Sequence, residues 1–363
     1  EYMYKDGMLS EDTYSFDNAD GTVYAGEART HWATMGFYTR INWNYQNTYF
    51  LELSGRYDGS SRFASGHRWG FFPSFSAGYD IARTKYFTDL NMPVSQFKVR
   101  VSYGRLGNQN GAGLYDYLGV MSLDPNNVNA WLLPGGGDVI GKGTISLTPK
   151  MISPYITWEK VDTANFGLDL MLLKDRLSVT FDVYQRTTKD MIGPAEAIPA
   201  VSGIIPDDRA KINNATLRNR GWELSVNWQD KLKCGFSYGI GFNLFNYKAV
   251  ITKYNNPEGI IYNNHTGLDR NKGYYEGMDI CEIWGFVADD LFMTNQEIDS
   301  YLNSKDLSFF KNDNLWQVGD LKYLDTNRDG KVDPGKGTLE DHGDLKVIGN
   351  ATPKYSFGIN LNL

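Results

Sequence analysis

Runs of about ten residues in which apolar and polar side chains alternate recur along this chain. In the first clear run, from Gly36 to Tyr45, the apolar Ile41 and Trp43 flank the polar Asn42. A period of two is typical of a β-strand whose two faces meet different surroundings. About nine such runs occur, the last from Tyr355 to Leu363, and together they predict an all-β fold.

Strand length and aromatic residues indicate which class of all-β fold is present. Strands of soluble sheets usually have about five or six residues, whereas about ten residues cross a bilayer at a tilt. Trp and Tyr stand at the ends of several apolar faces, for example Trp222 and Trp228. Such residues form the girdles where a barrel meets lipid headgroups. The chain is therefore predicted to form a transmembrane antiparallel β-barrel.

The connections between the predicted strands alternate between short and long. Short links lie at Gln46-Asn47, Lys174-Asp175 and Gln229 to Lys233. Longer loops lie at Asp58 to Arg68, Leu106 to Ile156, Thr187 to Arg218 and Lys248 to Thr352. Outer-membrane barrels have short periplasmic turns and long extracellular loops. The pattern therefore predicts an outer-membrane protein whose long loops lie outside the cell.

Residues 1–363 are interpreted as part of a single barrel domain. The first and the last predicted strands both run from a long loop toward the short-turn side. A single-chain bacterial barrel closes with an even number of strands. At least one further strand is therefore expected before Glu1 or beyond Leu363.

Charge and motif content exclude several functions. The formal net charge is -7, and no clustered excess of Lys and Arg could neutralise phosphates, so nucleic acid is not an expected partner. The four histidines lie far apart, the two cysteines lack CxxC spacing, and no HExxH or GxSxG motif occurs. We therefore expect no enzymatic activity and no catalytic residues.

The segment from Asp325 to Asp333 has the spacing of a calcium-binding loop. Side-chain oxygens stand at its positions 1, 3, 5 and 9, Gly330 stands at the turn position and the Lys331 carbonyl at position 7. Hard oxygen donors suit Ca2+ better than Zn2+. Position 12 is Lys336 instead of a bidentate Glu. The ring would have to be completed from Glu340, Asp341 or Asp344. The alternative interpretation is a solvated turn rich in Asp, Asn and Gly.

Residues 288–352 are predicted to form a long extracellular loop with structure of its own. Thr294 to Glu297 matches a capping box, which predicts a short helix through Ile298 and Leu302. Six aromatic residues of the loops could stack on sugar rings, although ordinary packing explains them equally well, and none is assigned to a binding site. They are Trp131, Tyr155, Tyr262, Tyr274, Tyr275 and Trp316.

Several segments resemble the SusC/RagA family of TonB-dependent transporters. The similar segments follow one another in the family's order and span nearly the whole chain. They are Arg56 to Phe63 (RYDGSSRF), Trp69 to Ser74 (WGFFPS), Phe97 to Gln109, Trp158 to Lys160 (WEK), Asn219 to Leu224 (NRGWEL) and Gly319 to Asp333.

The resemblance implies a barrel of about 22 strands with an N-terminal plug. It also implies a SusD-like surface lipoprotein as a lid, energy from the TonB-ExbB-ExbD complex, and import of glycans or peptides across the outer membrane by a barrel whose outer face contacts outer-membrane lipid. No plug or TonB box is found in this chain, which resembles the C-terminal part of the barrel. The family's acidic position matches Asp344 best. The expected calcium ligands are Asp325, Asn327, Asp329, Lys331, Asp333 and Asp344.

Two other functions stay open. A passive porin or adhesin would conduct or bind without energy and without a lid. A soluble carbohydrate-binding β protein would remain in the aqueous fraction after membrane extraction. The family segments count against the first alternative, and the strand lengths and the alternating loops count against the second.

Overall fold

Nine antiparallel strands in one sheet are the main element of the computed structural model. The residues that the structure describes are 2–5, 23–26, 30–90, 92–119, 123–124, 132–134, 140–142, 145–146, 151–195, 209–256, 259, 273–310 and 316–362. In the sheet every strand pairs with the strand that precedes or follows it among the nine, which is the order of an up-and-down barrel wall.

The bounds of these strands follow from their pairing. They are β1 (Thr34–Tyr45), β2 (Tyr49–Ser60), β3 (Trp69–Asp80), β4 (Val94–Asn108), β5 (Glu159–Leu172), β6 (Leu177–Pro194), β7 (Lys211–Lys231), β8 (Ser237–Lys253) and β9 (Ser356–Asn362). A 3-10 turn at Ile81–Arg83 and the helix α1 (Lys85–Thr88) connect β3 to β4.

Shorter strands pair outside the main sheet. Tyr2–Lys5 pairs with Val23–Gly26, Leu123–Asp124 with Ile145–Ser146, and Leu132–Pro134 with Ile140–Lys142. Between β8 and β9, Glu282–Phe286 pairs with Leu345–Asn350 and Ala288–Leu291 with Leu321–Tyr323. The same segment holds the helix α2 (Asn295–Ser304) and a 3-10 turn at Ser308–Phe310. Among the described helices, none has the length and apolar character needed to cross a bilayer.

The predicted count of nine strands is confirmed, but two predicted loops, Thr187 to Arg218 and Lys248 to Thr352, are too long. β6 and β7 have 18 and 21 residues, and they occupy both ends of the segment from Thr187 to Arg218 that was predicted to be a loop. β8 likewise continues to Lys253. Outside the lipid both faces of a strand meet water, so the ladder continues where the apolar-polar alternation stops. The apolar-polar alternation therefore marks only the part of each strand that a bilayer would surround.

One continuous apolar row crosses all nine strands. Tyr45 on β1 pairs with Tyr49 and then Tyr79, and the row ends at Leu244 on β8 and Phe357 on β9. Its remaining members are Val99, Leu168, Phe181 and Leu224. Since hydrogen-bonded partners point to the same side of a sheet, the row forms an unbroken band. In the predicted transmembrane barrel, such a band is the face expected to meet lipid.

The opposite face carries hydrogen-bonded charges. Arg100 on β4 donates to Asp169 on β5 over a distance of 2.6 Å between Nε and Oδ2. Its second nitrogen lies 3.2 Å from Asp182 Oδ2 on β6. Asp182 also accepts from Asn165 at 2.9 Å. Such charge-assisted bonds are stronger than neutral ones, so they connect three strands through their side chains.

Gly167 makes the reach of Arg100 possible. This residue pairs with Arg100 on one side and with Asp182 on the other. A Cβ added to Gly167 would lie 2.7 Å from Arg100 Cζ and 2.5 Å from Asp182 Oδ1. The missing side chain is therefore the space through which the arginine crosses β5.

Tight turns join the strands at the end of the sheet where the apolar row begins. Gln46 and Asn47 both have positive φ, 53° and 51°, which suits the right-handed twist of a hairpin. The Asn44 side chain accepts from the Asn47 amide at 3.0 Å. The predicted short links at Gln46-Asn47 and Lys174-Asp175 are confirmed, and the third short turn follows Lys231.

We predict that Gly167→Val destabilises the barrel, because the new side chain displaces Arg100 from Asp182. Overpacking of this kind costs about 1–3 kcal/mol. The unfolding temperature in detergent, followed by the loss of heat-modifiable migration on a gel, measures the effect. Gly358→Val is the matched control, since nothing lies within 4 Å of a Cβ there. Equal losses in both variants would contradict the assigned role of Gly167.

Candidate functional site

An apolar cluster fixes the loops at the long-loop end of the sheet. Phe63, Phe72, Ala112, Ile156 and Trp158 are all buried and pack on one another. The Trp158 ring centroid lies 5.2 Å from that of Phe63 and 5.4 Å from that of Phe72. The Trp158 indole also donates to a loop carbonyl, that of Arg68, at 2.9 Å. The loops after β2 and β4 therefore form anchored surfaces.

Glu159 joins the same anchor to the neighbouring strands. The side chain is 6% exposed. Its Oε2 accepts from Asn108 Nδ2 at 2.5 Å, and its Oε1 accepts from the Ile192 amide at 2.9 Å. This role of Glu159 was missed from the sequence, although an acid that directly follows Trp158 at the start of a predicted strand was the available signal. Residues of the WGFFPS and WEK segments are thus structural anchors.

Residues 282–350 form a small unit between β8 and β9, which we name the loop unit. Phe292, Val332 and Leu345 are fully buried and make its core together with Ile298 of α2. The capping-box helix is confirmed: Thr294 Oγ1 accepts from the Glu297 amide at 3.2 Å. Glu297 in turn accepts from the Met293 amide at 3.1 Å. The unit is held by packing of its own.

The calcium-type segment of the loop unit forms a tight turn around Asp325. Its Oδ1 accepts from the Asp329 amide at 3.2 Å, and its Oδ2 accepts from the Gly330 amide at 3.0 Å and from the Lys305 ammonium. Burial by itself raises the pKa of the Asp325 carboxyl, but the bonds from Lys305 and the loop amides outweigh it. The pKa of Asp325 is thereby held below its ordinary value of 3.8.

Asp344 closes this segment from the far side. It is 1% exposed. Its Oδ1 accepts from the Thr326 amide at 2.5 Å and the Asn327 amide at 3.3 Å. Its Oδ2 accepts from the Asp333 amide at 3.1 Å. Asp344 therefore ties the two ends of the segment together through backbone amides.

The donor set has the hard oxygens that Ca2+ prefers, but other partners already take several of them. Asn327 and Asp329 accept from amides within the loop at 3.0 and 2.8 Å. In the described part of the chain, no group of three or more His, Cys, Asp or Glu is arranged to hold a metal ion. A bound cation would have to replace Lys305 at Asp325. Calcium at Asp325, Asn327, Asp329, Lys331, Asp333 and Asp344 stays a prediction.

The aromatic residues of the loops fall into two groups. Tyr155 and Tyr274 are exposed. Tyr275 is hydrogen-bonded to Glu282, and Trp316 packs edge-on against Phe292 with ring centroids 6.0 Å apart. Two further residues, Trp131 and Tyr262, lie outside the described residues. Tyr155 and Tyr274 are therefore the described members that can reach a ligand without repacking.

The two-faced sheet and anchored long loops agree with a comparison to known families. The family model described as "TonB dependent receptor-like, beta-barrel" matches residues 2–277, well over half of the chain. The chain belongs to the TonB-dependent receptor family. It is part of an outer-membrane β-barrel with long extracellular loops, in a family of receptors and transporters and not of enzymes.

Two named relatives are similar to the chain over most of its length. It is 26% identical over 314 residues to the TonB-dependent receptor SusC of Bacteroides thetaiotaomicron, covering 86% of this chain and 28% of the relative. It is 27% identical over 376 residues to the TonB-dependent receptor P39 of Formosa agariphila, covering 94% of this chain and 32% of the relative. The chain thus spans about a third of the length of these relatives.

Solved structures agree on the fold. The RagAB peptide transporter matches 97% of this chain and 34% of its own chain, with a TM-score of 0.68 and 20% identity. The RagAB peptide importer in its 'open-open' state matches 98% of this chain with a TM-score of 0.67. At this identity the match supports the fold alone.

We predict that Lys305→Ala binds Ca2+ more tightly than the unchanged protein, because removal of the ammonium frees Asp325 Oδ2. Calorimetric titration with CaCl2 measures the affinity. Lys336→Ala is the matched control, since Lys336 is 82% exposed and lies 3.8 Å from its nearest acid, Asp341. Equal affinities in both variants, or no calcium heat in any of them, would contradict a calcium site at this position.

The lowered pKa of Asp325 makes the stability of this turn depend on pH in one direction. Contacts of the carboxylate stabilise the folded turn fully above the ordinary pKa of 3.8 and are lost as pH falls through the lowered value. Amide hydrogen exchange at Asp329 and Gly330, corrected with an unstructured peptide, should accelerate in this acidic range. Asp325→Asn should remove this dependence, and Glu340→Gln, an exposed site, should retain it. Exchange without such acceleration in the unchanged protein would contradict the assignment.

Proposed function

We propose that this chain forms part of the barrel of a TonB-dependent active importer that carries glycans or oligopeptides across the outer membrane. The observation that carries the proposal is the pair of unlike faces on a single nine-stranded sheet. One face is the continuous apolar row from Tyr45 to Phe357, and the other holds the charged network of Arg100, Asp169 and Asp182. A polar wall of this kind lets a hydrated solute pass, whereas the apolar row keeps the barrel in lipid.

The proposed partner is a SusD-like surface lipoprotein that sits over the long-loop end. Similarity to SusC and the shared fold with the RagAB peptide importer support this partner. The local structure supports it as well, because the loops around Trp158 and the loop unit have buried cores. A lid that opens and closes repeatedly must contact the same loop surface each time it closes, so that surface has to keep a fixed structure. Tyr155 and Met293 are among the exposed side chains that these surfaces offer for apolar contact.

Energy coupling through TonB-ExbB-ExbD is the third part of the proposal. Family membership supports it, and the described strands contribute the barrel wall alone. The cargo class rests on the relatives: one solved neighbour is named a peptide importer. The exposed Tyr155 and Tyr274 offer flat faces that could stack on sugar rings as readily as on peptide side chains.

The test is uptake by cells that carry the full protein, with and without a functional TonB. We expect growth on a panel of oligosaccharides and oligopeptides to identify one cargo whose uptake disappears in the strain without TonB. Purification from outer membranes in mild detergent, followed by mass spectrometry, should recover a lipoprotein in equal amount. Uptake that persists without TonB indicates a passive porin. Recovery in the aqueous fraction indicates a soluble carbohydrate-binding protein.

A further inference from the structure

A groove lies on the apolar face of the sheet between β3 and β8. Its volume is about 800 Å³, and its apolar lining includes Phe75, Phe166, Val183 and Trp222. Ala164 forms the floor, because it pairs with Tyr103 on one side and Gln185 on the other. A small side chain between two large ones leaves a gap in the wall. The groove is continuous with the apolar row, which lies against lipid.

Above the groove, toward the long loops, the same face becomes cationic. Arg220 and Arg218 lie two and four residues before Trp222 on β7. Because side chains alternate along a strand, all three point to the same side of the sheet. Arg220 lines the upper edge of the groove. Lys248 on β8 pairs with Arg220 in the ladder, and Arg105 on β4 lies one row higher. The basic side chains therefore stand where lipid headgroups begin.

The cations of this patch differ in whether a carboxylate neutralises them. Arg105 and Lys189 share Asp162, at 2.6 Å and 3.0 Å. Lys248 lies 3.3 Å from Asp279. In contrast, Arg220 donates to the neutral Gln185 side chain at 2.6 Å. Within the part of the chain that the structure describes, neither Arg220 nor Arg218 forms an ion pair.

We propose that this groove binds an anionic phosphorylated lipid of the outer leaflet. An acyl chain of the lipid lies over Ala164, between Phe166 and Trp222, and its phosphate contacts Arg220 and Arg218. A guanidinium matches phosphate oxygens with two parallel hydrogen bonds, and the contact with Gln185 holds the Arg220 side chain ready for it. Basic pockets at the membrane surface select anionic headgroups in this way.

Two features favour a lipid over other occupants. The groove opens on the face that the apolar row places in the bilayer, so acyl chains reach it without leaving the membrane. The arginines that form no ion pair among the described residues, Arg218 and Arg220, stand at and above its upper edge, toward the long loops. The site requires only the position of the barrel in the membrane, so it is independent of whether the protein imports glycans or peptides.

Trp222 reports directly on occupancy, because brominated acyl chains quench indole fluorescence on contact. We would reconstitute the full protein in bilayers of phosphatidylcholine and titrate in brominated phosphatidylglycerol or brominated phosphatidylcholine. The difference in quenching between the unchanged protein and Trp222→Phe measures the quenching of Trp222, and so the occupancy of the groove. We expect the phosphatidylglycerol to bind about fivefold more tightly for each of the two arginines, as for basic residues near an anionic surface.

Variants separate the headgroup contact from the groove. Arg218→Gln with Arg220→Gln should remove the preference for phosphatidylglycerol while quenching by both lipids remains. Ala164→Phe should reduce the Trp222 quenching by both. Lys231→Gln, an exposed cation at the short-turn end of β7, is the matched control and should keep the preference. Equal quenching by the two lipids in the unchanged protein, or a preference that survives loss of both arginines, would overturn the proposal.

Discussion

A strand inside a bilayer has no water to hydrogen-bond its amide and carbonyl groups, so these groups must pair with other strands. The rest of this structure depends on that requirement. From β1 to β9, each strand satisfies it by pairing with its neighbour along the chain, and the tight turns at Gln46 and Lys174 set the register. Once the register exists, the two-residue period assigns every side chain to lipid or to the interior. The apolar row and the charged network are two consequences of the same pairing.

The membrane-embedded part of the fold could be predicted from the sequence because lipid demands an apolar side chain at every second position. On β7 that signal is clear from Trp222 to Trp228, and the strand was found there. Toward Lys211 the strand no longer needs an apolar side chain at every second position, although its backbone hydrogen bonds continue. The start of β7 could therefore not be predicted from the sequence. The burial of Phe63 against Trp158 was equally hidden, because the two residues are distant in sequence and only the closed loops bring them together.

Two charged contacts stabilise the structure alongside its apolar packing. Arg100 joins β4 to β6 across Gly167, and Lys305 joins the end of α2 to Asp325. In both, one cation reaches a carboxylate that also accepts other hydrogen bonds. Removal of one partner of such a pair costs more than the pair contributes, because the remaining charge is left desolvated. The spacing of acidic residues in the sequence predicted Asp325 as a site, but Lys305 lies outside that spacing.

The loop unit begins and ends on a pair of adjacent strands, Glu282–Phe286 and Leu345–Asn350, so its two ends lie side by side. β8 and β9 remain hydrogen-bonded neighbours in spite of the long insertion between them. Insertions whose two ends lie close together are the ones that a host fold tolerates. During evolution, such a unit can be lengthened, replaced or lost without a change in the register of the wall. The outer surface of the protein can therefore diversify much faster than the barrel that carries it.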